Sequence, residues 1–281
     1  PDELTSIANN PIEDWMVFLH PDQLAATRTT YTGPARIRGS VGTGKTVVAL
    51  HWAAERARRS TTDDRQLPVL FTTFVKTLPP VFENLYNRMP DSVPGAVEFV
   101  NIHSLAYQFC KAAGDNAWVN KNHVAQASKA AFDQVVCDGT PLANDGIDRP
   151  YLEAEVKAVI KGRGLQSVDE YLTVHRTGRG TRYDESRRRQ AWAYMEEWNA
   201  RMAQLGTRDF EDNVTRAVEL AQGCSDPTYR AAVIDEAQDL TLMGLQLVRT
   251  LVNGGHADDR PDGLLIVGDS AQRIYPGAFT L

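Results

Sequence analysis

Between the short apolar run 35–38 and a helical pattern over residues 47–58, the chain reads Gly39-Ser40-Val41-Gly42-Thr43-Gly44-Lys45-Thr46. Glycines in this order let the backbone curl until successive N–H groups converge on one point, and the start of the following helix adds partial positive charge there. Such a concavity suits the β-phosphate of a nucleotide, with Lys45 reaching the β- and γ-oxygens and Thr46 serving as a ligand of Mg²⁺. Four fixed positions coincide by chance in roughly one chain in a hundred of this length, and a strand before with a helix after lowers that further. Gly42, Thr43, Gly44, Lys45 and Thr46 are therefore the expected binding residues for ATP with Mg²⁺.

A phosphate loop of this kind needs a sheet behind it, and the rest of the chain supplies one. Residues 69–74, 97–100, 231–234 and 264–267 are short apolar runs, the first two followed by a turn and by helical patterns at 78–89 and 103–113. Alternation of this kind predicts an α/β fold, a parallel sheet flanked by helices. From about 107 to 223 no strand pattern is found, while 151–161 and 185–205 are rich in helix formers and 139–150 is a loop of Gly, Pro, Asp and Asn. The expected layout is a discontinuous α/β domain (1–106 and 224–281) interrupted by a mostly helical inserted subdomain (107–223).

Composition excludes several classes. At 281 residues, 42% hydrophobic and 23% charged, the chain is that of a globular protein, and no apolar run approaches the roughly 18 to 20 residues of a membrane span. Cys110, Cys137 and Cys224 lack C-x-x-C spacing and read as buried small side chains in a reducing compartment, hence the cytoplasm. The net charge of −6 argues against a protein that simply coats nucleic acid. Between 161 and 189, however, eight Lys and Arg stand against four Asp and Glu, a strip that could follow a phosphate backbone or be a solvated helix face. Both chain ends read as cuts in a longer protein.

The second half of a nucleotide site is a carboxylate at the end of another apolar strand. Ala231-Ala232-Val233-Ile234-Asp235-Glu236 provides it: Asp235 would hold Mg²⁺ through water and Glu236 would polarise the attacking water. Continued as Asp235-Glu236-Ala237-Gln238-Asp239, this segment resembles the acidic motif of the UvrD/Rep-like superfamily 1 DNA helicases. Further segments match in the family's order. Leu19-His20-Pro21-Asp22-Gln23 is similar to the adenine-reading glutamine motif. Thr72-Thr73-Phe74-Val75-Lys76 and Asn101-Ile102-His103-Ser104 are similar to two DNA-contacting segments. Val267-Gly268-Asp269-Ser270-Ala271-Gln272-Arg273-Ile274-Tyr275 resembles the segment that joins the γ-phosphate to the DNA track.

The resemblance implies a RecA-like motor domain and assigns roles position by position. Gln23 presents a donor and an acceptor to an adenine edge, and Gln272 senses the γ-phosphate. Thr73, His103 and Ser104 hydrogen-bond DNA phosphates, while Phe74 and Tyr275 offer faces to bases. Asp209-Phe210-Glu211-Asp212 resembles the family's Asp-Phe-Asp-Asp and is expected to cap a helix. The implied partners are single-stranded DNA or a single/double-strand junction, with 3′ to 5′ movement, a role in DNA repair and a place at the nucleoid. A second RecA-like domain, which in the family supplies transition-state arginines worth about 10³ to 10⁵ in rate, is expected to be missing from these residues. The 281-residue chain is then expected to bind ATP, hydrolyse it slowly and unwind nothing.

Two departures mark a divergent branch. Pro276-Gly277-Ala278-Phe279 stands where many relatives carry Trp-Arg-Gly-Ala, and the phosphate loop differs from the family's commonest form. The same half would also serve a RecB- or AddA-type nuclease-helicase, a defence ATPase, or a nucleotide-gated DNA-binding protein.

Overall fold

The structure, a computed structural model, describes residues 19–40, 42–60, 66–176, 180–254 and 259–269. Strands β1 (Ala35–Arg38), β2 (Val69–Thr73), β3 (Val97–Asn101), β4 (Ala231–Asp235) and β5 (Leu264–Gly268) form one sheet in the spatial order β1-β5-β4-β2-β3. Every neighbouring pair is parallel. Parallel strands need crossover helices, which cover both faces and make the central strands apolar on both sides. The strands obey this rule: β2 and β4 are buried at every position.

The two faces separate with the period of the strand. Val69, Phe71, Ala231 and Val233 pack with α2 (Lys45–Ser60) and α3 (Pro79–Asn87), which contribute Leu50, Trp52, Phe82 and Tyr86. Leu70, Ala232 and Ile234 face the other way, onto α4 (Ile102–Ala112), α10 (Phe210–Gln222) and α11 (Leu242–Asn253). Helix α1 (Pro21–Arg28) lies beside α2.

Between α4 and α10 the described residues contain no strand. Helices α5 (Lys121–Val135), α6 (Pro141–Asn144), α7 (Arg149–Glu155), α8 (Val168–Thr173) and α9 (Glu185–Gln204) enclose a core of their own, with Leu142, Leu152, Tyr171, Tyr194 and Trp198 wholly buried. Each such side chain contributes on the order of 1.5 to 3 kcal/mol by leaving water. Core membership places α10 with the sheet: Val214, Ala217, Val218 and Ala221 join Leu70 and Ile234 in one cluster, although the span 107–223 assigned these residues to the insertion.

Two local expectations are corrected. The helix expected over 151–161 ends at Glu155, widens into a π-turn at Val156–Ile160 and tightens to a 3₁₀ turn at Lys161–Arg163. A π-turn shifts the register of the following residues, and here Lys161 follows it inward, 7% exposed. Of the three cysteines only Cys110 is buried. Cys137 and Cys224 are exposed because they sit in the loops just past the ends of α5 and α10. Among the described residues no helix is long and apolar enough to cross a membrane.

Candidate nucleotide-binding site

An all-parallel sheet delivers the C-terminal end of every strand to one edge, where the loops can converge. Here that edge carries Gly39–Thr46 after β1, Phe74 after β2, Ser104 after β3 and Glu236 after β4. Gly42 and Gly44 both have φ of +76°, a region costly to residues with a Cβ. Gly39 is needed for another reason, since a Cβ there would lie 2.8 Å from Thr43 Oγ1. The Lys45 ammonium donates to the carbonyls of Gly39 at 2.9 Å and Ser40 at 2.8 Å, so it is folded across the loop it belongs to.

The tertiary fold closes the site across the chain. Thr46 Oγ1 donates to Asp235 Oδ2 at 2.9 Å, joining the first turn of α2 to the end of β4. Asp235 is 1% exposed, and its Oδ1 is buried with no hydrogen-bond partner. Burial, reinforced by the charge of Glu236, pushes the Asp235 carboxyl up to about 6, against the opposing effects of the Thr46 hydroxyl and of Lys45. A buried carboxylate with one oxygen unsatisfied beside a hydroxyl is what a hard divalent cation relieves. The donor set fits Mg²⁺ carried in on a nucleotide, with Thr46 and Asp235 as the residues that would hold it. Bound Mg²⁺ would neutralise phosphate charge there; the protein's part is to orient the two oxygens and exclude water.

The pH consequence has a definite sign. An aspartate at about 6 when folded, against roughly 3.9 when unfolded, favours the folded state only while protonated. Stability is therefore lost as pH rises from about 4 to 6, by about 3 kcal/mol once both states are ionised. Asp235→Asn is expected to raise the thermal midpoint of the ligand-free protein at pH 8 and to abolish the fall in Mg²⁺-dependent nucleotide affinity expected of the parent chain below pH 6. Thermal scans and calorimetry across pH 4.5 to 8 check both, and a destabilised Asp235→Asn at pH 8 would contradict the assignment.

Glu236 takes φ of +51°, an uncommon conformation for a residue with a side chain. Its carboxylate accepts from Gln238 Nε2, and Gln238 Oε1 in turn accepts from the Asp269 N–H at 3.1 Å. Gln238 thus ties the turn after β4 to the end of β5. Gln238 lies within the acidic motif of the sequence, but its role depends on β4 and β5 being neighbours, which the motif does not encode.

Gln23 stands beside the loop: its Nε2 lies 3.5 Å from the Thr43 carbonyl, and its Oε1 accepts from the His20 N–H at 3.1 Å. One amide hydrogen and one lone pair remain for a ligand. Gln272 and Tyr275, with the neighbouring Phe279, lie outside the described residues.

A profile for the UvrD/REP helicase N-terminal domain matches residues 19–276. The chain belongs to this family. A comparison with curated proteins gave no match. Membership of this family supports a helicase motor half.

The residues expected at DNA are placed unevenly in this UvrD/REP domain. Thr73 is wholly buried, its Oγ1 unpartnered and its backbone in register with Asp235, so its hydroxyl lies inside the sheet and not on the surface. Ser104 is engaged in the cap of α4: its N–H donates to Asn101 Oδ1 and its hydroxyl accepts from Asn101 Nδ2, both at 3.0 Å. Phe74 and His103 lie together, ring centroids 5.4 Å apart, and His103 is 5.3 Å from Phe210. Burial drives the His103 imidazole down to about 4, with Asp209 opposing, so the ring is neutral, and its Nδ1 has no partner.

These rings line a cleft of about 510 Å³ between the α/β unit and the insertion, with Lys121, Lys157 and Trp198 on the far wall. Lys121 Nζ stands 5.8 Å from the Phe210 ring centre, and Phe210 is 40% exposed. Asp209 caps α10 as expected, in a reciprocal capping box with Asp212. Phe210 was legible only as part of that cap. The basic strip 161–189 is largely consumed within the fold. Lys161 pairs with Asp209 and Asp212, Arg176 with Glu155, Arg187 with Asp145 and Asp184, and Arg189 with Glu185. Arg188 donates to the carbonyls of Tyr171 and Val174. Among the described residues of the strip, the side chains of Lys161 and Arg176 are buried in ion pairs, while Arg182 and Arg189 are exposed.

Proposed function

We propose that this chain is the ATP-binding motor half of an ATP-dependent DNA helicase or translocase that moves 3′ to 5′ on single-stranded DNA. The observation that carries the reading is the Thr46–Asp235 hydrogen bond with Asp235 Oδ1 left buried and unsatisfied. It joins the phosphate loop to the carboxylate strand in the arrangement that Mg²⁺–ATP chemistry requires. Lys45 binds the β- and γ-phosphates, Thr46 and Asp235 hold Mg²⁺, Glu236 orients the attacking water, and Gln23 faces the adenine. Family membership supports the same reading. Gln272 completes the site at the γ-phosphate and relays its state toward Tyr275.

The DNA path runs past the cleft at Phe74, His103 and Phe210, where aromatic faces and the Lys121 ammonium suit bases and phosphates of a single strand. Anisotropy of a labelled oligonucleotide across a salt series tests this. Affinity is expected to fall steeply with salt; Lys121→Ala reduces the log–log slope by about one, and Phe210→Ala costs about 1 to 3 kcal/mol at every salt concentration. Binding that ignores salt, or that both substitutions leave untouched, rules out this path.

A further inference from the structure

Helix α1, which carries Gln23, buries only Thr27. An eight-residue helix is marginal by itself, and little hydrophobic surface holds this one in place. Its C-terminal carbonyls, unsatisfied by the helix itself, are taken by guanidinium groups from α2. Arg56 donates to the carbonyls of Thr27 and, at 2.8 Å, Thr29; Arg59 donates to that of Arg28 at 3.1 Å. Cations at a helix C-terminus also meet the negative end of its dipole.

Arg56 is 2% exposed and lies 4.3 Å from the Trp52 ring centre, so its charge needs a counterion. Asp262 supplies it to both arginines: Oδ1 to Arg56 at 2.8 Å and Oδ2 to Arg59 at 3.0 Å. Asp262 is held in turn by the segment after α1. The Tyr31 N–H donates to Asp262 Oδ1 at 2.7 Å, the Asp262 N–H to the Tyr31 carbonyl at 2.9 Å, and the Tyr31 hydroxyl to the Ala26 carbonyl at 3.1 Å. The aspartate has φ of +55°, a conformation a side chain adopts at some cost. Gln23, near the N-terminus of α1, meets the phosphate loop at Thr43, and the clamp grips the other end.

We infer that Arg56, Arg59 and Asp262 form a positioning clamp that holds α1 along α2 and thereby sets Gln23 at the base of the bound nucleotide, making base recognition dependent on residues that touch no ligand. The inference rests on the nucleotide reading above and deepens it: the phosphate loop would bind a triphosphate without the clamp, whereas discrimination for the base would not survive its loss.

Calorimetry of the 281-residue chain with Mg²⁺–ATP and with magnesium tripolyphosphate, which has no base, separates the two. Asp262→Asn is expected to weaken ATP about tenfold, the loss of one good hydrogen bond, with tripolyphosphate unchanged within about twofold. Arg59→Gln, at a partly exposed position, shifts the ratio the same way without endangering the fold, and hydrogen exchange over 21–28 accelerates in both variants. Equal weakening of both ligands, or faster exchange with an unchanged ratio, overturns the clamp. Tripolyphosphate binding that Lys45→Ala leaves intact would instead remove the nucleotide reading, and the clamp's role with it.

Discussion

Replacement of Lys45 by alanine is expected to weaken ATP binding by at least about 100-fold, with no comparable loss of stability. The Lys45 ammonium is bound in the ligand-free chain to the carbonyls of Gly39 and Ser40. Transfer of its three donors to β- and γ-phosphate oxygens makes charge-assisted bonds, together worth about 3 kcal/mol or more after desolvation. Alanine removes these bonds and also frees the two carbonyls that Lys45 draws together, so the loop loses its ligand-binding charge and part of its shape. Lys45 is half-buried, and its removal strands no buried charge, so the thermal midpoint is expected to move little. Calorimetry with Mg²⁺–ATP beside a thermal scan distinguishes the two effects. An unchanged affinity in a folded Lys45→Ala protein would count directly against the site.

The largest expected effect on stability lies far from the nucleotide. Lys161 is 7% exposed, and its ammonium lies 2.9 Å from Asp209 Oδ2 and 2.7 Å from Asp212 Oδ1. Burial by itself would lower this lysine, but the two carboxylates outweigh it and hold the ammonium above its usual value. Burial likewise opposes ionisation of Asp209, which Lys161 overcomes, and it pushes the neighbouring Glu211 up to about 8. Lys161→Ala leaves the buried Asp209 and the partly exposed Asp212 without their cation, at a cost of about 3 to 5 kcal/mol, or about 10 °C in Tm. Burial and the charge of Asp209 already push the Asp212 carboxyl up to about 6 with Lys161 in place. Without the lysine it rises further and Asp209 rises with it, so the deficit is present at neutral pH and narrows on acidification as they take up protons. Adding Asp209→Asn and Asp212→Asn to the lysine substitution, which keeps a capping side chain at the start of α10, is expected to restore most of the loss. Because Lys161 belongs to the insertion while α10 packs on the sheet, the ion cluster is also where the two cores are tied. A wild-type Tm in Lys161→Ala would show that the cluster contributes nothing net.

How much of this was legible in advance follows from the range of the interactions. Glycine, lysine and hydroxyl at fixed spacing after an apolar run announce a phosphate loop, since its geometry is local: Gly42 and Gly44 need positive φ wherever they occur. The same holds for β2, β4 and β5, whose two-sided burial is written into largely apolar runs, and for the cap at Asp209. Residue order also determined the family, because the motifs stand in one sequence over residues 19–276.

What only the tertiary structure decided are the pairings made between distant elements. The strand order β1-β5-β4-β2-β3 brings Gln238 to Asp269 and leaves Thr73 inside the sheet. The basic strip read as a surface feature because composition records charge but not its partner, and Lys161 finds Asp209 across 48 residues. Arg56 meets Asp262 across 206 residues, which no periodicity can encode. Apolar patterns report whether a side chain is buried; which buried charges face one another depends on how helices and strands are stacked, and that is settled only when the whole chain packs.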